Sequence, residues 1–288
     1  MKKKVILAVS LLLLLTGCGG ISHDSITPVS REDGSGTRGA FVELFGIEEK
    51  DENGEKQDMT TDLAEITNST AVMLMTVSGN RNAIGYISMG SMHEAVKTLQ
   101  IDGAEASFDN IKNGTYSIAR PFHIATKDDV SPAAQDFIGF ILSDEGQAVV
   151  EESGYISQGS IGAYEPTGAK GNVVVAGSSS VAPVMEKMKE SYEAINRNVT
   201  IEMQQSDSTI GMNSLKEGMC DIGMASRDLK ESELEAGLKP TVIAMDGIAI
   251  IVNHENPLTG LNKDTVKAIY KGEIDKWTQI PAYKEVTE

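Results

Sequence analysis

The sequence predicts an α/β protein, and two features of the chain support this prediction. Short β-branched runs alternate with longer segments in which apolar residues recur at helical spacing. The alternation is clearest after residue 170, where a strand at 173–175, a helix at 181–195 and a strand at 200–203 follow one another. Several predicted strands also run directly into turns rich in serine and glycine. The length of 288 residues suits one large domain or two lobes.

The chain begins with the pattern of a secretory signal. Three lysines precede the apolar run 5–15, which is too short to span a membrane. The sequence Leu-Thr-Gly-Cys18 that follows resembles a bacterial lipobox, in which the cysteine is lipidated and becomes the mature first residue. We therefore expect a signal peptide at 1–17 and a lipid-anchored linker at 18–25. The alternative is an ordinary signal peptide with an incidental cysteine.

Charge and composition exclude several classes of ligand. There are 25 Lys and Arg residues against 42 Asp and Glu, which gives a formal net charge of −17. Such an acidic chain is not expected to bind nucleic acid, which requires a basic face. An anion site here must act locally, through N–H groups, hydroxyls and an arginine. The four histidines lack the spacing of metal ligands, and we expect neither a metal nor a cofactor.

The other elements are predicted from apolar spacing and from the breaks in it. Residues 48–59 are dense in charge and predict a solvated surface loop, whereas 157–171 are rich in Gly, Ser and Pro and predict a linker. The remaining predicted elements are a strand at 26–30, a helix at 72–77, a strand at 83–87, a helix at 132–153, a helix ending near 217 and a strand at 222–224.

The run Ser30–Gly39 has the composition of an anion-binding loop. Its glycines let the backbone approach a ligand, and Ser35 and Thr37 offer hydroxyl donors. The apolar periodicity that begins at Ala40 predicts a helix here, and the N–H groups at a helix N-terminus favour an oxyanion. A plain turn or linker is the alternative. The run is not a Walker A loop, because no Gly-Lys-Ser/Thr follows at the required spacing.

Three later turns also present serines where a predicted strand ends. They are Ser178–Ser180, Gln205–Thr209 and Ala225–Asp228. Open α/β sheets bind ligands at the carboxyl ends of their strands. One such turn is easily a linker, but three turns together with Ser30–Gly39 predict a shared ligand site.

Six segments of the chain have the pattern of a known family: 30–41, 110–121, 175–184, 220–229, 244–253 and 269–277. They resemble the phosphate-binding proteins of bacterial phosphate ABC transporters, which have a periplasmic-binding-protein-like fold. The resemblance covers nearly the whole mature chain. It implies a two-lobed α/β fold of type II, in which each lobe is a sheet flanked by helices and the ligand lies between the lobes.

The order of the motifs departs from that of the family. Family members begin with the strand and serine turn that start here at Val173, and they reach the Arg-x-Asp-Gly-Ser-Gly-Thr loop, here 31–37, only later. The resemblance therefore implies a circular permutant whose old ends are joined across 157–171. The alternatives are a truncated tandem duplication and a gene-model artefact.

The permuted order also implies a division of the chain into lobes. One lobe is contiguous, at 116–254, and the other is assembled from 26–115 and 256–288. Two hinge strands, near 114–120 and 253–258, are expected to join the lobes.

The phosphate ligands of the family carry over onto positions in both implied lobes. Those in the lobe assembled from 26–115 and 256–288 are Arg31, Ser35, Gly36 and Thr37, and those in the contiguous lobe 116–254 are Ser179, Ser180, Ser208 and Ser226. Asp33 is expected to orient Arg31 through a charge-assisted pair.

The family also uses a carboxylate that accepts the proton remaining on phosphate, and this excludes the fully ionised sulfate. Here the turn reads Ala225-Ser226-Arg227-Asp228, with an arginine inserted. Either Asp228 keeps the acceptor role or Arg227 contributes a second cation. Selectivity for phosphate over sulfate is therefore implied by the resemblance more than by this turn.

The resemblance implies a monomeric extracytoplasmic lipoprotein of the cell membrane that binds inorganic phosphate and delivers it to ABC permease subunits. Its contact with the membrane is expected through the lipid anchor only. A surface lipoprotein that senses phosphate or adheres, without transport, is one alternative. A phosphoryl-transfer enzyme is less favoured, because no nucleophile–base pair, metal cluster or histidine accompanies the serine turns.

Overall fold

The computed structural model describes residues 24–52 and 56–283, so the predicted signal peptide and Cys18 lie outside the described residues. The first elements are β1 (Thr27–Arg31), α1 (Gly36–Phe45), β2 (Glu48–Lys50), β3 (Lys56–Asp58), β4 (Glu65–Thr67), α2 (Thr70–Gly79), β5 (Ala83–Ser88), β6 (Lys97–Ile101) and α3 (Phe108–Lys112). They are followed by β7 (Ala119–Thr126), α4 (Pro132–Leu142), α5 (Asp144–Glu152), β8 (Gly171–Ser178), α6 (Ala182–Ile195), β9 (Val199–Ser206) and α7 (Ser208–Glu217). The last elements are β10 (Ile222–Ala225), α8 (Glu231–Glu235), β11 (Lys239–Val252), β12 (Gly260–Leu261) and α9 (Lys263–Tyr270). None of the helices in the described ranges is long and apolar enough to cross a membrane.

Polar caps determine where three of the helices begin. Ser35, Ser69 and Asp207 stand immediately before α1, α2 and α7, and each side chain accepts the backbone N–H three residues further on. Such caps satisfy N–H groups that no helical carbonyl reaches. Helix α1 then ends at Gly46, whose φ of 65° lies in the left-handed region that glycine adopts without strain.

One continuous sheet runs through the described residues in the order β4-β1-β5-β11-β7-β10-β8-β9. Residues Lys239–Gly247 of β11 pair with β7, whereas Ile248–Val252 of the same strand pair with β5 and β6. Strand β11 therefore takes part in two halves of the sheet. We call these lobe A (β1, β4, β5, β6, β12 and helices α1, α2, α3, α9) and lobe B (β7–β10 and helices α4–α8).

Both lobes have the same strand order. In lobe A the parallel strands β4, β1 and β5 are followed by antiparallel β11 and then β6. In lobe B the parallel strands β9, β8 and β10 are followed by antiparallel β7 and then β11. Strands β1, β4 and β5 therefore correspond to β8, β9 and β10. The predicted two-lobed α/β fold, with sheets flanked by helices, is confirmed.

Each lobe has a core of its own. In lobe A the Phe41 ring stacks on Tyr86, with 3.9 Å between ring centroids, and Tyr270 belongs to the same cluster. In lobe B, Phe122 and Phe140 belong to a separate apolar cluster. Because apolar burial is satisfied within each lobe, the surfaces that meet between the lobes are free to be polar.

The predicted order of strands and helices is confirmed, with two differences. The charged segment 48–59 contains the antiparallel hairpin β2–β3 instead of an irregular loop, and an ion pair of 2.6 Å joins Lys56 to Glu48 across it. The predicted helix at 132–153 is two helices, because the side chain of Ser143 caps α5 and ends the run of α4.

Strands β7 and β11 connect the lobes. Strand β7 begins at Ala119, at the end of the predicted hinge 114–120. In β11 the pairing passes from lobe B to lobe A between Gly247 and Ile248. This crossover precedes the predicted hinge at 253–258, because β11 continues unbroken from one lobe into the other.

A buried carboxylate fastens the predicted linker to lobe B. Residues 157–170 form no helix or strand. The Asp136 carboxylate of α4 accepts hydrogen bonds from the hydroxyls of Tyr164 (2.7 Å), Thr167 (2.7 Å) and Tyr192 (2.6 Å). Burial raises the pKa of Asp136, but these hydrogen bonds outweigh burial and hold the pKa at about 2. The charged form of Asp136 therefore holds the linker against α4 and α6.

Replacing Asp136 by Asn is expected to lower the free energy of unfolding by about 2 kcal/mol at neutral pH, because a hydrogen bond to a charged group contributes about 1.5–3 kcal/mol. The folded pKa of Asp136 lies below its unfolded value of about 3.9, so its contribution is present above about pH 4 and is lost as the pH falls towards 2. Urea denaturation across this pH range checks the prediction, with the exposed Asp129→Asn as control. Equal stability of Asp136→Asn and the wild type at neutral pH would contradict it.

Candidate functional site

The loop after β1 in lobe A faces the serine turns of lobe B. Arg31, Gly36 and Thr37 meet the serines of lobe B at the boundary between the lobes, and Ser35 caps α1 in the same loop. With Ser178, Ser179, Ser180, Ser208 and Ser226 of lobe B, these nine residues are called the donor cluster. Each of them is buried, and Arg31 is only 2% exposed. They lie at or after the carboxyl ends of β1, β8, β9 and β10. The structure thus brings together the four segments that the sequence singled out.

Two direct hydrogen bonds between members of the donor cluster join lobe A to lobe B. The Arg31 guanidinium donates to the hydroxyl of Ser179 at 3.1 Å. The hydroxyls of Thr37 and Ser180 lie 2.7 Å apart. Each of these bonds links a residue of lobe A to one of lobe B, so the two lobes are in contact at the predicted ligand positions.

Glycine is required at position 36 by this close approach. A Cβ added there would lie 2.4 Å from the hydroxyl oxygen of Ser208 and 2.7 Å from that of Ser226. At position 34, an added Cβ would lie 2.5 Å from the carboxylate of Asp207. The glycines of the loop therefore let its backbone reach lobe B, as the composition of the loop predicted.

The serines of lobe B are bonded to one another. The Ser178 hydroxyl donates to Ser226 at 3.0 Å, and the backbone N–H of Ser226 donates to the Ser208 hydroxyl at 3.1 Å. A hydroxyl can donate one hydrogen bond and accept two. This group can therefore adapt to a ligand oxygen that is either ionised or protonated.

Glu32 holds the Arg31 guanidinium, and the prediction that Asp33 does so is wrong. Arg31 donates from Nε and Nη2 to the two carboxylate oxygens of Glu32, at 2.8 and 2.7 Å. Asp33 lies in the turn after β1, which directs its side chain outward, where it is 94% exposed and pairs with Arg38. The fork-to-fork pair fixes the plane of the guanidinium and supplies the negative charge that this buried cation requires.

The charged groups of Arg227 and Asp228 are bonded outside the donor cluster, although the aliphatic part of Arg227 passes beside Gly36. The guanidinium of Arg227 makes two hydrogen bonds to the buried carboxylate of Glu233, at 2.8 and 2.9 Å. Burial raises the pKa of Glu233, but the hydrogen bonds from Arg227 and from the backbone of Lys230, together with the charges of both residues, outweigh it and leave the pKa below its usual value, so Glu233 is ionised and neutralises Arg227. The side chain of Asp228 is 85% exposed, beside His123. Of this turn, Ser226 alone has its side chain bonded into the cluster.

Sequence reasoning missed Tyr86, which supports the start of the loop from β5. Its hydroxyl accepts the backbone N–H of Arg31 at 3.1 Å and lies 2.9 Å from the hydroxyl of Ser30. Burial raises the pKa of Tyr86 to about 12, so the phenol stays protonated at neutral pH. The strand pattern at 83–87 predicts a buried residue here, but no motif connects it to the loop.

Sequence reasoning also missed Thr70, the first residue of α2. Its hydroxyl oxygen lies 3.5 Å from Nη1 of Arg31 and 3.4 Å from the hydroxyl oxygen of Ser179. No serine–glycine turn precedes α2, so the motifs gave no signal for this position.

The arrangement can hold a small anion by many short-range donors. Hydroxyls and helix-initial N–H groups lie at the same lobe boundary as one guanidinium, whose charge is balanced by Glu32. In the part of the chain that the structure describes, no group of three or more His, Cys, Asp or Glu residues could hold a metal ion.

The chain has relatives over nearly its whole length. Residues 19–145 and 162–287 match the model of a PBP superfamily domain. Phosphate-binding protein PstS 2 of Streptococcus agalactiae serotype V is 52% identical over 283 residues, which is 96% of this chain and 97% of that protein. PstS 2 of Streptococcus pneumoniae serotype 4 is 41% identical over 274 residues, 92% of this chain and 94% of that protein. A solved phosphate-binding protein of a phosphate ABC transporter from Streptococcus pneumoniae TIGR4 superposes with a TM-score of 0.69 at 41% identity, covering 89% of this chain and 99% of that chain.

Replacing Gly36 by Ala is expected to loosen the contact between the lobes, because the added methyl group meets the oxygens of Ser208 and Ser226. The backbone N–H of Thr209, which donates to the carbonyl of Gly34 across the boundary, should then exchange faster with deuterium. Hydrogen-exchange mass spectrometry of the peptide around Thr209 measures this. Gly39→Ala is the control, since its added Cβ has no neighbour closer than 3.9 Å. Equal exchange in the two variants would contradict the prediction.

Proposed function

The chain belongs to the PstS phosphate-binding proteins of the PBP superfamily, and on this premise we propose that it binds inorganic phosphate between lobes A and B and delivers it to an ABC permease. The observation that carries the proposal is the donor cluster, in which buried hydroxyls from both lobes and the guanidinium of Arg31 lie together at the lobe boundary. Such a set of donors fits a tetrahedral oxyanion, which needs a hydrogen bond at each oxygen once it leaves water.

Binding is proposed to replace the direct contacts between the lobes with contacts through the anion. Arg31 and Ser179 can each turn their donors to one phosphate oxygen, and Thr37 and Ser180 to another. The N–H groups that open α1 and α7 lie in the same region and carry the partial positive charge of a helix N-terminus. Closure of the lobes then excludes water, and this strengthens every bond to the charged ligand.

The proton of hydrogen phosphate is proposed to be accepted by a serine hydroxyl. Ser178, Ser208 and Ser226 are linked to one another and can reverse the direction of their bonds. For Asp228 to accept the proton, its turn has to move from an exposed position. For Arg227 to act as a second cation, its guanidinium has to turn towards the cluster from its present contacts with Glu233 and Thr209. A role for either residue therefore requires a rearrangement on binding.

We propose that the chain acts as a carrier without an enzymatic activity, as a monomer, and on the extracytoplasmic face of the cell membrane. The names of the relatives support a binding role. Lipid anchoring at Cys18 is supported by the Leu-Thr-Gly-Cys sequence, which lies outside the described residues. The lobes are proposed to divide close to the predicted bounds of 116–254 and of 26–115 with 256–288, but with the boundary in β11 moved to between Gly247 and Ile248, where its pairing passes from β7 to β5.

The order of the motifs is proposed to be a circular permutation of the family order. Because both lobes have the same strand order, a chain that begins in either lobe builds the same fold. The first and last described segments also lie together: the backbone N–H of Trp277 donates to the carbonyl of Asp24 at 2.8 Å, and Tyr283 stacks on Trp277. The Streptococcus agalactiae relative aligns along almost its full length, which disfavours a gene-model artefact confined to this chain.

Isothermal titration of the mature chain with phosphate tests the proposed ligand. We expect binding by the wild type and a dissociation constant roughly 10- to 100-fold higher for Thr37→Val, since one lost donor to a buried charged ligand costs about 1.5–3 kcal/mol. Asp228→Asn should change the dissociation constant by less than about threefold. Absence of phosphate binding by the wild type contradicts the proposed function. A loss in Asp228→Asn as large as in Thr37→Val contradicts the serine acceptor.

A relinked chain tests the permutation. Joining Tyr283 to Asp24 by a short Gly/Ser linker and opening the chain between Gly159 and Ser160 restores the family order. Because Asp24 and Tyr283 both contact Trp277 and the new ends lie in an exposed linker, we expect a folded protein with a phosphate dissociation constant within about threefold of the wild type. Opening β8 between Val174 and Val175 is the control and should abolish folding. If the relinked chain is unfolded, as the chain opened in β8 is expected to be, the proposed permutation is overturned.

A further inference from the structure

The connection between β4 and α2 in lobe A corresponds to the connection between β9 and α7 in lobe B. Strand β4 pairs in parallel with β1, and β9 pairs in parallel with β8, the counterpart of β1. Each connection leads from this strand into the helix that follows it. Ser208 is the first residue of α7, after the cap Asp207. Thr70 is the first residue of α2, after the cap Ser69. Thr70 is therefore the counterpart in lobe A of a predicted phosphate ligand in lobe B.

The position of the Thr70 hydroxyl agrees with this correspondence. Thr70 is 7% exposed, and its oxygen lies between Nη1 of Arg31, at 3.5 Å, and the hydroxyl oxygen of Ser179, at 3.4 Å. These neighbours come from different lobes, and both belong to the donor cluster. Thr70 therefore borders the space in which the anion is proposed to lie.

The hydrogen bonds of Thr70 leave its proton available to a ligand. Arg31 is a donor only, so the Thr70 oxygen accepts from it. The Thr70 proton then has Ser179 as its acceptor at 3.4 Å, which is long for a bond between two hydroxyls. An oxyanion oxygen beside Arg31 and Ser179 offers this proton a shorter, charge-assisted bond.

A residue of lobe A is not a phosphate ligand merely because it corresponds to one in lobe B, as the pair Ser88 and Ser226 shows. Ser88 ends β5 as Ser226 follows β10, but the Ser88 hydroxyl donates to the carboxylate of Asp246 at 2.9 Å. That carboxylate is buried and paired with Arg120 of β7. The hydroxyl proton of Ser88 is therefore already donated to Asp246, in the strand that connects the lobes. The hydroxyl proton of Thr70 has no such short bond.

From these observations we propose that Thr70 is a further phosphate ligand, donating its hydroxyl directly to the bound oxyanion from lobe A. This inference rests on the proposed function. It extends the donors of lobe A beyond the loop after β1, so that the anion is held by two connections of lobe A and by those after β8, β9 and β10 of lobe B.

Isothermal titration with inorganic phosphate on four forms of the mature chain tests this role. Thr70→Val keeps the shape of the side chain but removes the hydroxyl, and we expect its dissociation constant to rise about tenfold. Thr70→Ser restores the hydroxyl and should stay within about threefold of the wild type. Thr76→Val makes the same change later in α2 and should not alter the dissociation constant. Thermal unfolding without phosphate accompanies each titration, and Thr70→Val should remain folded at the titration temperature, with its melting temperature lowered only by the loss of the long bond from Arg31.

The outcomes separate this inference from the proposed function. A wild type that does not bind phosphate contradicts the proposed function itself. A wild type that binds, together with a Thr70→Val variant of unchanged affinity, overturns the role of Thr70 alone. Equal weakening of Thr70→Val and Thr70→Ser, or weakening of Thr76→Val, also overturns it, because the effect would then come from the packing of α2.

Discussion

The burial of the Arg31 guanidinium is the constraint on which the meeting of the two lobes depends. A charge that is 2% exposed needs a counter-charge and hydrogen bonds for its donors. Glu32 supplies the counter-charge from the same loop, and Ser179 supplies an acceptor from the other lobe. Lobe A therefore satisfies this cation fully only when lobe B lies against it. The glycine at position 36 permits that approach, and Tyr86 fixes the backbone from which Arg31 extends.

The electrostatics of the site are local. The chain carries a formal net charge of −17, so its overall field repels an anion. Both arginines nearest the lobe boundary are paired, Arg31 with Glu32 and Arg227 with Glu233. Attraction of an anion therefore falls to oriented hydroxyls and N–H groups, which are effective because the site is closed to water. Such a site distinguishes ligands by the geometry and the number of their oxygens.

The sequence determines the fold more completely than the site. The alternation of strands and helices and the serine turns at strand ends follow from local composition, and the structure confirms them. The orientation of single side chains does not follow: the turn after β1 exposes Asp33 and leaves Glu32 beside Arg31. Likewise, Asp228 is turned outward and the guanidinium of Arg227 is held by Glu233. The sequence does not reveal Thr70 as a site residue, because its position beside the donor cluster depends on pairing between strands that are distant in sequence.

The most direct test of the central claim is to locate the anion in a crystal of the protein grown with arsenate, by the anomalous scattering of arsenic. If the donor cluster holds a tetrahedral oxyanion, the anomalous peak lies between the loop after β1 and the turns after β8, β9 and β10, within hydrogen-bonding reach of Arg31, Ser180 and Ser208. A peak beside Arg227 and Asp228 instead would contradict this account. So would a crystal without a peak between the lobes, if the protein binds arsenate in solution.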